Sequence, residues 1–273
     1  MRIWLAVLVL VLFAGAARAD ENPWAQATAP SNGASHAIGG YSAGCLAGGV
    51  ELPLKGRGWE VMRPERKRHF AHRQMIEFVR QLAAAAKKAN LGTVALGDLS
   101  QPRGGPAPSG HSSHQTGLDI DIWYAVGKAS MKKGPSMVRG TRVAAGWGPR
   151  QMKLLALAAG DPRVERIFVH PVLKRALCEK VKGDRSWLHR IRPWWGHDEH
   201  FHVRLKCPAG DTSCVAQGSI AEGDGCDEIA GWLAPERAAA RAEKQKAYQS
   251  RVGAVPVLPD GCGEVVASPA AAR

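Results

Sequence analysis

The sequence predicts an α+β domain in which helices flank a small central antiparallel sheet. Two observations carry this. Residues 118–123 (Leu-Asp-Ile-Asp-Ile-Trp) and 200–205 (His-Phe-His-Val-Arg-Leu) alternate apolar and polar side chains at the period of two that a strand imposes. The helical runs stand apart from these segments without a regular βαβ rhythm, which favours segregated helices over a doubly wound parallel sheet.

Taken in order, residues 1–19 carry Arg2, an apolar run from Ile3 to Ala14 and the small-residue pattern Ala17-Arg18-Ala19, the features of a secretory signal peptide. The apolar run falls short of the roughly twenty residues of a spanning helix, so no stable membrane insertion is expected. Residues 20–38, rich in Ala, Ser, Asn and Pro without periodicity, are expected to be a flexible lead into a domain over residues 39–235. Pro64 is expected to open a helix reaching Asn90, with Ile76, Val79, Leu82 or Ala83, and Ala86 on one stripe and Gly92 as terminator. Val94 to Leu96 forms a short strand. Gly104 to Gly110 then forms a loop that delivers His111 and His114 to the mouth of the 118–123 strand. Pro149 opens a helix that ends at Ala159 with Gly160 behind it. Val164 to Val169 is a further strand, and a helix after Pro171 carries Cys178. Residues 209–226 are turn-rich. Residues 236–273 are expected to hold a C-terminal helix of Ala/Glu/Lys/Arg composition, beginning at Pro235, and a tail.

Export through a signal peptide implies an oxidising compartment, the periplasm, where six cysteines are disulfide material rather than thiolate ligands. Cys207 and Cys214 enclose a short Pro/Gly/Asp-rich loop and are the expected local pair. Spacing leaves the other pairs open, and none of the six has zinc-ribbon spacing. Net charge is +13, or +11 without Arg2 and Arg18, which favours anionic partners. No nucleic-acid motif is present, and an exported chain meets little nucleic acid. Peptidoglycan, with free carboxylates on its stem peptides, suits this charge better. The sequence leaves open whether the chain forms a homodimer.

Chemistry concentrates in two segments, 109–121 and 197–202, which hold five of the ten histidines beside carboxylates. On the first strand Asp119, Asp121 and Trp123 share one face; on the second, His200 and His202 do. A catalytic zinc takes three imidazole or carboxylate ligands and keeps a position for water. His114, Asp121 and His202 supply that set. His200, two residues from His202 on the same face, suits a general base. Asp119 is placed to accept the second N–H of a ligand imidazole. Trp194, Trp195 and Trp123 could wall a cleft, and Arg204 is a candidate oxyanion donor. The remaining histidines, His36, His69, His72, His170 and His189, are read as structural or surface residues, with His69 and His72 on a solvated helix face.

The Ser112-x-His114-x-x-Gly117-x-x-x-Asp121 pattern with a later His200-x-His202 resembles the superfamily of lysostaphin-type, D-Ala-D-Ala metallopeptidase and hedgehog-like domains. Within it, residues 110–121 and 195–208 resemble the penicillin-insensitive murein endopeptidase family over about Gly39 to Pro235. The resemblance implies a zinc endopeptidase that cuts D-alanyl to diaminopimelyl cross-links between peptidoglycan stem peptides. It implies His114, Asp121 and His202 as ligands of one zinc per chain, His200 as catalytic base, and His111 and His197 as further catalytic histidines in metal contact or transition-state stabilisation. It also implies Cys45–Cys262 and Cys178–Cys226 pairs, the first tying back the C-terminal segment. It gives no support for a second metal, because 138–149 contains no acidic residue or histidine. Two other readings use the same scaffold: a D-alanyl-D-alanine carboxypeptidase, which needs a closed pocket for a terminal carboxylate, and a non-catalytic zinc or wall-binding module, for which His200 beside His202 is superfluous.

Overall fold

The structure is a computed structural model and describes residues 22–108, 112–127, 134–237, 240, 241, 243, 244, 246 and 255–271. The expected signal peptide and His111 lie outside the described residues.

The main sheet corrects the expectation of a small antiparallel one. It has seven strands, in the order Ile191–Pro193, Val164–Val169, His200–Leu205, Asp119–Val126, Val94–Leu96, Trp59–Val61 and Lys55–Gly56. It is also mixed. Val164–Val169 runs parallel to Ile191–Pro193, and Trp59–Val61 runs parallel to Val94–Leu96. Parallel neighbours need a long crossover. The helices Pro171–Lys180 and Arg73–Lys88 lie within those two crossovers. The outer strands are two or three residues long, too short for alternation to mark them in sequence.

Period-two alternation on the two central strands divides the sheet into a core face and a polar face. Leu118, Ile120 and Ile122, with Phe201, Val203 and Leu205, are fully buried in the main core. Helix Arg73–Lys88 adds Met75, Ile76, Phe78, Val79 and Leu82 to it, and helix Pro149–Ala159 adds Leu154, Leu155 and Ala158. Burying such side chains stabilises the fold by about 1.5–3 kcal/mol each. A core on one face leaves the other free for chemistry.

The first of these helices does not begin at Pro64. Pro64–Arg66 is a single 3-10 turn that ends on Lys67 at φ 52°, and Phe70–Ala71 pairs as a short strand. Only then does His72 cap the helix, its Nδ1 accepting the Gln74 N–H. Part of the stretch expected as a flexible lead is ordered. Asn22 caps a turn at Pro23–Gln26, Trp24 is 3% exposed against Cys45, Cys262 and Val265, and a strand begins at His36. A buried indole gives these residues a packing partner that their composition does not reveal.

Disulfides join Cys45 to Cys262, Cys178 to Cys226 and Cys207 to Cys214. The first ties the helix Asp260–Ala267 to the strand Ala43–Ala47. No helix among the described residues is long and apolar enough to cross a membrane.

Candidate metal centre

The site is written in the register of the two central strands. His200, His202 and Arg204 stand opposite Trp123, Asp121 and Asp119. Alternation then sends Asp119, Asp121, His200, His202 and Arg204 to the face away from the core. His114 arrives from the preceding loop at φ 70°, a left-handed backbone uncommon for a residue with a Cβ. Gly117, at φ 71°, turns the chain into the strand where a Cβ would meet the His72 nitrogen at 2.7 Å.

Asp121 Oδ1 lies 3.5 Å from His114 Nε2 and 3.2 Å from His202 Nδ1. All three residues are buried, and one ligand atom from each lies within 4.8 Å of the others. The group could hold a metal ion. Two ligands bound at about 2.0–2.1 Å in a tetrahedron stand about 3.3 Å apart, the spacing found on both sides of Asp121. His200 Nε2 sits 3.6 Å from the same Asp121 oxygen with 18% of its side chain exposed, so it faces the mouth of the site rather than its floor.

Asp119 organises the donors from beneath. Its Oδ1 is 2.9 Å from His202 Nε2, and its Oδ2 accepts the backbone N–H of His114 at 3.1 Å. Arg204 adds two donors, Nε at 2.8 Å and Nη2 at 3.3 Å. Burial works to raise the Asp119 carboxyl, but the charges of Arg204 and His202 overcome it and hold the carboxyl far below the usual carboxylate range. The same pair acts on His202: burial lowers it, and Asp119 outweighs burial, raising the imidazole to about 8. Arg204 is committed here. Its guanidinium also reaches Gln217 and lies over the Tyr41 ring at 4.1 Å, so it is not a donor at the cleft mouth.

His197 closes another side, its ring 5.2 Å from that of His200 and 5.9 Å from that of His202. Its Nδ1 is 3.0 Å from the Trp195 carbonyl oxygen, which requires an N–H there and leaves Nε2 as an acceptor. Burial, then the charges of His200 and His202, push this imidazole down to about 3. Trp123 lies beside His200 on the opposite flank, under the guanidinium of Arg63.

The other histidines are built into the scaffold. His72 is buried at its helix cap and, with His36, meets Asp211; His69 is buried against Glu51. The solvated helix face expected for His69 and His72 is not what forms, because the strand at Phe70–Ala71 separates them. Sequence reasoning missed Asp98, whose Oδ2 takes both Arg66 and Arg68 at 2.9 Å and whose carbonyl accepts the Asp121 N–H. It also missed Phe168, whose ring packs 5.5 Å from His202. Neither residue stands in the two segments where histidines and carboxylates cluster, so no local signal marked them.

The sequence model of the family described as penicillin-insensitive murein endopeptidase matches residues 37–267. Among similar proteins, the penicillin-insensitive murein endopeptidase of Yersinia enterocolitica serotype O:8 is 41% identical over 255 residues, 89% of this chain and 92% of its own length. That of Haemophilus influenzae is 38% identical over 277 residues, covering 96% of this chain and 94% of its own. The protein of that name from Klebsiella pneumoniae strain MGH 78578 is 38% identical over 242 residues, 85% and 88% of the two chains.

Proposed function

This chain belongs to the penicillin-insensitive murein endopeptidase family, and from that membership we propose a zinc enzyme that hydrolyses the D-alanyl to diaminopimelyl cross-links between peptidoglycan stem peptides. It is a murein endopeptidase, a peptidoglycan hydrolase. The observation that supports zinc is the buried His114, Asp121 and His202 group, in which the Asp121 oxygen stands from each imidazole nitrogen at about the edge length of a zinc tetrahedron. Two imidazoles and a carboxylate are also the donor set of a hydrolytic rather than a purely structural zinc.

When bound, zinc supplies Lewis-acid polarisation of the scissile carbonyl and lowers the pKa of a neighbouring water. The protein's part falls to named atoms. His202 presents Nδ1 to the metal because Asp119 holds the proton on Nε2. His200 Nε2, at the mouth, takes the proton of the attacking water and returns it to the leaving amine. His197, whose Nδ1 proton is held by the Trp195 carbonyl, has Nε2 to accept a hydrogen bond that orients the water or the substrate amide N–H. We place His111, from the same motif as His114, among the catalytic histidines on the strength of the family resemblance alone. The signal peptide at 1–19 would deliver the enzyme to the periplasm, where its substrate lies.

Cross-linked muropeptide dimers incubated with the protein in the presence of benzylpenicillin test the reading. Conversion to monomers, lost with chelator and restored by zinc, is expected. Release of free D-alanine without monomers would favour the carboxypeptidase, and no product at all would favour a binding module.

A further inference from the structure

The metal centre opens on one side onto an aromatic ladder that catalysis does not use. From the His202 ring, Phe168 is 5.5 Å away, Trp194 is 5.7 Å from Phe168, and Trp232 is 6.0 Å from Trp194. Trp195 joins at 6.4 Å from Trp232. The indoles come from two separate parts of the chain, the turn after Ile191–Pro193 and the helix Ile229–Leu233. The tryptophan pairs are tilted by 50–52° rather than stacked, so they do not cover one another's faces. Trp194 is 54% exposed, and Arg241 lies 3.8 Å above the Trp195 ring.

Trp194 is the exposed member of the cluster, and Phe168, Trp195 and Trp232 are half-buried behind it; large aromatics that reach the surface beside an active site mark a ligand surface. We propose that Trp194, Trp195 and Trp232 form a saccharide shelf that holds the glycan strand to which the cleaved stem peptide is attached. The proposal rests on the murein reading, and the chemistry of the substrate selects the occupant. Stem peptides of the diaminopimelyl type carry methyl groups, carboxylates and amines, with no large apolar side chain to match an indole. The sugar rings present flat C–H faces that do match. Reach agrees as well. About four residues separate the D-alanyl carbonyl from the sugar, or about 13–14 Å of extended chain. Two ring contacts lead from His202 to Trp194 and a third to Trp232, which keeps the shelf within that reach of the metal centre. Arg241 adds a cation at the rim for the carboxylates of neighbouring stems.

Binding and turnover test the shelf separately. Peptide-free oligosaccharides of alternating N-acetylglucosamine and N-acetylmuramic acid should bind the wild-type protein in calorimetry. The same affinity is expected for His200→Ala, which keeps the shelf and lacks the base. Trp194→Ala and Trp232→Ala should each weaken this binding about tenfold while melting as cooperatively as wild type. In turnover, wild type should prefer a disaccharide-bearing dimer over the same cross-linked peptide stripped of sugar by an amidase, and both tryptophan variants should bring that kcat/KM ratio towards one. If the wild-type protein cleaves dimers but neither binds the oligosaccharide nor distinguishes the two substrates, the shelf is wrong and the peptidase reading stands. Saccharide binding without cleavage would sink the peptidase reading and keep the shelf. A wild-type dimer in sedimentation that Trp194→Asp dissolves, with no saccharide binding, would assign the face to a second copy and overturn the proposal.

Discussion

His202 places both ring nitrogens on carboxylates of the neighbouring strand, Nε2 at 2.9 Å from Asp119 Oδ1 and Nδ1 at 3.2 Å from Asp121 Oδ1. One carboxylate therefore fixes the tautomer and the other shares the candidate metal position. Asp119 also accepts the His114 backbone N–H, so it positions two of the three candidate metal donors at once.

Asp119→Asn should weaken zinc binding by about 10–100-fold, because the amide has one acceptor oxygen and no charge where the carboxylate accepts from His202, His114 and Arg204 through both oxygens. Competition against a chromophoric chelator measures this. Circular dichroism must accompany it, since Arg204 would lose its buried counter-charge. A folded Asp119→Asn protein with wild-type affinity would remove the role assigned to Asp119.

One zinc per chain is expected in the isolated protein, and His202→Ala should lose both metal and activity. Metal analysis beside muropeptide digestion decides it. A His202→Ala protein that retains zinc would mean that the ligand set lies elsewhere.

His200→Ala should keep the zinc and lose about 10²–10⁴ in rate, the usual contribution of a general acid/base. Its Nε2 stands at the mouth, 3.6 Å from Asp121 Oδ1, rather than among the buried donors. Loss of zinc in this variant would make His200 a ligand, and full activity would end its role as base.

Thiol titration of the denatured, oxidised protein should find no reactive thiol. Cys45 and Cys262 are 217 residues apart, and chain entropy gives such a crosslink about 5 kcal/mol. The Cys45→Ser, Cys262→Ser double variant should therefore lose up to about that much stability in urea. A midpoint equal to wild type would show that Trp24 and Val265 hold the C-terminal helix without it.

Lys174 supplies a pH dependence remote from the metal. It is fully buried, with Nζ donating to the Leu188 and Asp224 carbonyl oxygens, and burial, then the charge of Arg192, push it down to about 7. An unfolded lysine holds its proton up to about pH 10.4. The unfolded state thus binds more protons between about pH 7 and pH 10, and stability due to this group rises with pH across that window. Urea midpoints for Lys174→Met should show a flatter slope from pH 7 to pH 9 than wild type, and an unchanged slope would contradict the assignment.

Local periodicity alone determined that residues 118–123 and 200–205 are strands and that Asp119, Asp121, His200 and His202 leave the core, because alternation of side chains is a property of each extended backbone. Pro149 and Gly160 likewise bounded their helix. The pairings of Cys45 with Cys262 and of Cys178 with Cys226 came from resemblance, since spacing left them open. What the tertiary structure decided is everything that depends on which segments meet. The antiparallel register set His202 opposite Asp121, and the crossovers extended the sheet to seven mixed strands. Asp119 met the His202 ring across the strands, and helix Ile229–Leu233 brought Trp232 beside Trp194. These contacts join residues far apart in the chain, and their free energy appears only when both partners are packed, so no single stretch of sequence carries their signal.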